Sequence, residues 1–203
     1  MKVQGKVGII QASNGTETDL RTTRNGALVT APGEAEYAEI VLSGNVFIGA
    51  NPAATPVTTQ AGLSATTPVL TLYNPVGSPV NLILIDVSYC VVAAPAAATS
   101  IMLAYNLANA TAPATTTDAS ITSGIVGTAS KPSGECYRIA TLGTAPVAFR
   151  YLGGVTAASV VSTYSSVHDI KGKIVVAPGV AISIQATTAV SLLASMSWEE
   201  ESI

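Results

Sequence analysis

The chain of 203 residues holds one histidine, His168, followed directly by Asp169 in a polar run of Ser, Thr and Tyr. A serine hydrolase needs a hydroxyl, an imidazole and a carboxylate within hydrogen-bond reach of one another, and a nearby serine with His168 and Asp169 would supply those three groups. The Gly-x-Ser-x-Gly turn that often presents such a serine is missing, and no other side chain ordinarily titrates near neutral pH. A polar His-Asp pair on a surface loop accounts for the same residues without catalysis, so the expectation is a protein that is not an enzyme and has no catalytic residues.

Metal and cofactor chemistry is equally thinly supplied. One histidine and two distant cysteines, Cys90 and Cys136, give neither the tetrahedral zinc spacing nor a His-Glu-x-x-His helix. Glu34, Glu36 and Glu39 are oxygen ligands of the kind calcium takes, but such a charge run reads more simply as solvated. Gly153-Gly154 and the other glycines form no phosphate-binding loop and lie in no β-α-β pattern, so they read as turns. No metal and no cofactor is expected. Seven tyrosines are spread over separate segments, which favours packing over a sugar-stacking platform. Asn14-Gly15-Thr16 and Asn109-Ala110-Thr111 match the glycosylation acceptor pattern, a frequent chance match in a chain with no secretion signal at its start.

The elements that would position any of these groups are strands. Apolar residues follow period two along most of the chain, with Val, Ile, Thr and Tyr abundant and Gly, Pro and Asn at short intervals. Val180, Ile182, Ile184 and Ala186 alternate with Ala181, Ser183, Gln185 and Thr187, giving one apolar and one polar face. A second alternating run, Val190 to Trp198, follows after Thr187 and Thr188, and the pair reads as an antiparallel hairpin. Trp198 is expected to close one end of the core, with Glu199-Glu200-Glu201 remaining in water.

Val80 to Val92 is apolar on both faces around Asp86 and reads as a central strand. Further strands are expected at Tyr37–Leu42, Asn45–Gly49, Thr67–Tyr73, Thr99–Asn106, Ile121–Val126, Tyr137–Leu142, Val147–Leu152 and Lys173–Val176. That number fits two packed sheets. Helix is nearly invisible, since the alanine-rich piece from Ala93 to Ala98 is broken by Pro95. Asn51–Thr67 and Asn109–Ser120 read as irregular loops of the kind that carry contacts between molecules.

The organisation that follows is an all-β, antiparallel β-sandwich over residues 36–203, preceded by an extended N-terminal arm over residues 1–35. The arm is inferred from Lys2, Lys6, Glu17, Asp19, Arg21 and Arg24 set among Gly, Asn and Thr.

Charge narrows the function classes. The chain is 48% hydrophobic but only 10% charged, against about 25% in an average soluble domain. Between Val41 and Ser130 only Asp86 and Asp118 belong to the Asp, Glu, Lys and Arg set. Buried ions are costly, so sheet faces that lack them are well matched to burial against another subunit. A net charge of −3 without a basic cluster argues against nucleic acid. No uninterrupted apolar stretch approaches the roughly 18 residues that span a bilayer, and the start of the chain lacks the apolar core of a signal peptide. A cytoplasmic site of synthesis follows as an expectation, and with it free, buried thiols at Cys90 and Cys136.

Four segments, taken in order, resemble a known group. They are Glu36-Tyr37-Ala38-Glu39 running into Ser43-Gly44-Asn45-Val46-Phe47; Leu72-Tyr73-Asn74-Pro75; Ile170-Lys171-Gly172-Lys173 leading to Ala177-Pro178-Gly179; and Ser197-Trp198-Glu199-Glu200. In these the chain resembles tailed-bacteriophage virion structural proteins, jelly-roll head-decoration, cement or minor structural subunits. The resemblance implies a jelly-roll-like sandwich, a homotrimer, a location in the virion after synthesis in the bacterial host, and the major capsid protein or other virion proteins as partners. Partner contacts are expected from Arg21 and Arg24 in the arm and from Asn51, Pro52, Thr55 and Pro56 in the first long loop. The alternative is a tail- or fibre-associated subunit that binds a receptor or glycan.

Overall fold

A computed structural model describes residues 37–52, 55–107, 112–129, 131–157 and 164–203. Compactness divides the chain into Met1–Glu39 and Ile40–Ile203. The expected arm, with Arg21 and Arg24, lies outside the described residues, as do both glycosylation acceptor asparagines.

In chain order the elements are α1 (Ala38–Leu42), β1 (Val46–Ala50), β2 (Val57–Thr58), β3 (Thr71–Tyr73), β4 (Val80–Ala93), β5 (Thr99–Leu107) and β6 (Ala114–Asp118). There follow β7 (Ser120–Ser123), β8 (Glu135–Thr141), β9 (Val147–Val155), β10 (Ser165–Val176), β11 (Val180–Ala186) and β12 (Ser191–Ser202). They form two six-stranded sheets, one in the order β10-β4-β12-β1-β7 with β2 added beside β12, the other β6-β8-β3-β11-β5-β9. All the pairings are antiparallel. The protein is therefore an all-β sandwich.

Its topology is that of a jelly roll. Four strand pairs nest inside one another along the chain: β1 with β12, β3 with β11, β4 with β10 and, innermost, β5 with β9. Folding that long double ribbon over itself places β10-β4-β12-β1 in one sheet and β3-β11-β5-β9 in the other. Strands β6, β7 and β8 are an insertion between β5 and β9, and they extend the opposite edge of each sheet.

The inner faces meet in a single large core containing Leu70, Leu72, Leu84, Ile101, Leu103, Ile184, Leu192, Met196 and Trp198, all fully buried. Each such side chain contributes about 1.5–3 kcal/mol by leaving water, so the alternation read in the sequence is what holds the sheets together. Trp198 packs on Phe47 with ring centroids 6.0 Å apart.

Several expectations are corrected. Strands β11 and β12 are not a hairpin: β11 pairs with β3 and β5, whereas β12 lies in the other sheet between β4 and β1. The chain turns a corner at Thr187 and Thr188, where Thr187 N–H donates to Ser100 O and Thr188 N–H to Thr99 Oγ1, each at 3.0 Å. The polar face expected on β11 is buried too, and Gln185 Nε2 donates to Ser64 O at 3.1 Å and to Ser183 Oγ at 3.0 Å.

The strand expected at Tyr37–Leu42 is the short helix α1, terminated by Gly44 at φ +82°, whose N–H donates to Val41 O at 2.9 Å. Five residues are too few for period two and period 3.6 to be told apart. Regular pairing in the expected strand Thr67–Tyr73 is confined to β3, because Thr67 sits at φ +56° and Pro68 has no N–H to donate. Conversely, the segment Asn109–Ser120, expected to be irregular, contains β6, which pairs with β8 through Ala114, Thr117 and Asp118. The final expected strand before the Ala177-Pro178-Gly179 turn begins at Ser165, not Lys173, so His168 and Asp169 lie on a strand rather than a loop.

Candidate functional site

Strand alternation decides what His168 can do. Along β10, Ser166, His168 and Ile170 point between the sheets, while Ser165, Val167 and Asp169 point outward and are exposed. His168 Nε2 is 2.9 Å from Ser166 Oγ, and its ring stacks on Tyr89 with centroids 5.9 Å apart and planes 13° apart. Asp169, on the other face, is 3.3 Å from Lys171 Nζ. The hydroxyl and imidazole of a triad are brought together, and the carboxylate is carried away from them.

Two features of this cluster were not legible in the sequence. Arg150 from β9 acts on His168: burial, reinforced by the Arg150 charge, holds the imidazole below its ordinary 6.5. Tyr89 Oη is buried without a well-formed hydrogen bond, although Tyr164 and Ser166 are close enough to affect it, and burial raises its ionisation well above the usual phenol range. Gly153 makes room for that hydroxyl, since a β carbon there would lie 2.5 Å from Tyr89 Oη. The group is a stacked, neutral packing of rings at the side of the sandwich.

Both cysteines are free thiols, Cys90 half-exposed and Cys136 buried in the core. Burial pushes the Cys136 thiol up to about 12. Among the residues whose side chains are described, no group of three His, Cys, Asp or Glu is placed to hold a metal. Glu34, Glu36 and the side chain of Glu39 lie outside that set. Among the described residues no helix is long and apolar enough to cross a membrane.

The loop residues expected to meet a partner divide into two kinds. Asn51 is buried: its Oδ1 accepts from Ala194 N–H at 2.6 Å, and its Nδ2 donates to Val69 O at 3.3 Å. The amide therefore ties β1 and β12 to the segment leading into β3. Pro52 and Thr55 are half-exposed and Pro56 exposed, around a turn closed by Thr55 N–H donating to Pro52 O at 3.1 Å.

The feature that stands out on the surface is the side of the sandwich where β9 and β10 are the last strands of their sheets. Tyr151 is 73% exposed and Val167 74%, and Val147, Phe149 and Val175 are exposed beside them. Phe149 reaches back to Tyr105 in an edge-to-face contact with centroids 5.9 Å apart. The sequence gives Val147, Phe149 and Tyr151 the spacing of a buried face, so it held no sign that they would be left on the surface. Two bulges interrupt the β9 pairing, and four residues of β10, Ile170 to Lys173, stand opposite Ile85 alone. Bulges and lysines of this kind block the addition of another strand while leaving the side chains accessible.

The outer face of the first sheet is small and uncharged over much of its area. Ser88 and Ser195 share a hydrogen bond at 2.6 Å, Cys90 and Leu193 lie beside them, and Ser197 Oγ donates to Asp86 Oδ2 at 2.5 Å.

No protein-family model, no curated protein and no solved structure matches the chain.

Proposed function

We propose that this protein is a structural subunit of a phage particle, a capsid decoration or cement protein that acts as a homo-oligomer without catalysis. In this role it would bind the major capsid protein or its neighbours in the virion and reinforce the shell by burying surface between capsomers. The reading is carried by the side formed by β9 and β10, where Val147, Phe149, Tyr151, Val167 and Val175 remain exposed on strands that cannot accept another strand. A concentration of exposed apolar side chains at one side of a protein is the kind of surface that contact sites use. The jelly-roll topology, common among capsid proteins, and the small uncharged area around Ser88, Cys90, Leu193 and Ser195 on the outer face of the first sheet support the same reading, although topology by itself does not specify function.

The expected assembly is a trimer, as in the group the sequence resembles. Each contact needs roughly 1,000 Å² or more, and repeated symmetric sites convert modest contacts into avidity. Light scattering on the purified chain, followed by mixing with undecorated capsids and sedimentation, tests the proposal. An oligomer that co-sediments with capsids supports it, and a monomer that remains in the supernatant ends it.

A tail- or fibre-associated glycan-binding subunit is the second reading, favoured by Tyr151 and Tyr164, both exposed on this side, and by the use of jelly rolls as lectins. Saturable binding to host cells or immobilised sugars, abolished by Tyr151→Ala, would favour it over the first.

A further inference from the structure

We infer that copies of this chain associate head to tail, the β9–β10 side of one copy packing against the β6–β8 side of the next. The inference rests on the assembly reading above and specifies its geometry.

The two sides lie at opposite ends of both sheets and differ in chemistry. On the β9–β10 side an apolar cleft of about 290 Å³ is lined by Tyr105, Phe149, Ile174, Val175, Val180 and Ile182. The strands that border it carry three cations, Arg150, Lys171 and Lys173, and one acid, Asp169, which lies 3.3 Å from Lys171 Nζ. The other side has a cleft of about 430 Å³, where Asp118, Ile121, Glu135 and Tyr137 are joined by Lys131. Glu135 accepts a hydrogen bond from the Tyr137 hydroxyl, and Asp118 is exposed. The neighbouring cation, Arg138, has its Nε buried.

An apolar side whose strands carry more cations than acids thus has its counterpart, a cleft holding two carboxylates and one lysine, on the far side of the same molecule. A two-fold contact of the β9–β10 side with itself would oppose Arg150 and Lys173 to their own equivalents, which disfavours it. Joining unlike sides is a heterologous contact, and such contacts repeat until they close into a ring or run on as a filament. The bulges in β9 and β10 interrupt the regular edge of each sheet, which disfavours strand-to-strand continuation and leaves side chains to make the contact.

Native mass spectrometry of the full-length chain tests this with two variants: Tyr151→Ser with Lys173→Glu on one side, and Asp118→Lys with Glu135→Lys on the other. Each is first checked for a cooperative melt; if charge reversal prevents folding, Lys173→Ala and Asp118→Ala replace it. Each variant alone should lose at least about tenfold in self-association. Mixed in equal amounts, the two should form hetero-oligomers holding equal numbers of each, joined first through the remaining native contact. Lys173→Glu combined with Asp118→Lys in one chain should recover part of the assembly. A wild type that is an oligomer, with variants that remain equally oligomeric or a mixture that remains monomeric, overturns the head-to-tail contact alone. A monomeric wild type overturns the assembly reading itself.

Discussion

A β carbon on Gly49 would lie 2.5 Å from Cys136 Sγ and 3.1 Å from Trp198 Cζ3. Gly49 is on β1 of one sheet and Cys136 on β8 of the other, so the spacing between the layers at this point is set by a missing side chain. Gly49→Ala is expected to lower stability by about 1–3 kcal/mol through overpacking. Cys136→Ala in the same chain should restore part of that loss, with Trp198 and the retained β carbon of residue 136, each 3.1 Å away, accounting for the remainder. Urea unfolding of the two single variants and the double variant measures the coupling.

The buried amide of Asn51 offers a second test. Asn51→Ala leaves the Ala194 N–H and the Val69 carbonyl unpaired inside the protein, at an expected cost of about 1–3 kcal/mol. The denaturation midpoint should fall with little change in slope, while the oligomer mass at low temperature stays the same. A residue whose work was at a partner contact would show the reverse.

The cysteines should differ in reactivity. The Cys136 thiol is enclosed and pushed up to about 12, whereas Cys90 is half-exposed. Iodoacetamide on the native protein should therefore label Cys90 and spare Cys136, and denaturation should make both available. Peptide mapping before and after unfolding reads the result.

His168 gives the stability an acid-side pH dependence. Burial and Arg150 hold the folded imidazole below 6.5, its ordinary value. The unfolded chain then binds the proton more readily than the folded one, so the contribution to stability is complete above that ordinary value and is lost as pH falls through the lower folded one. His168→Phe, which keeps a ring against Tyr89, should flatten this part of the profile. Urea midpoints across about pH 5 to 8 would show it; an unchanged slope in the variant would rule His168 out as the cause.

How much of this was legible in the sequence depends on the range of the interaction involved. Alternation reports that a strand has a buried face, and it located β4, β5, β11 and β12 well because their apolar runs are long. It cannot report which sheet a strand joins, so β11 and β12 were placed together, although the Thr99 and Thr187 hydrogen bonds send them to opposite layers. The polar appearance of the Ser165–Asp169 stretch concealed a strand for a similar reason: its pairing with β4 is decided by a segment far away in the chain. The candidate contact surface was the least visible part. Val147, Phe149 and Tyr151 have the pattern of core residues, and it is the end position of β9, with no strand beyond it, that leaves them uncovered.

The nested pairing of β1 with β12 has a consequence for biosynthesis. Strand β12 fills the gap between β4 and β1, yet it is the last strand of the sandwich to emerge from the ribosome. Until residues 191–202 are available, β1 and β4 each lack a neighbour and the Trp198 site in the core stands open. Co-translational folding of this layer must therefore wait for β12, and until then the nascent chain carries unpaired strand edges.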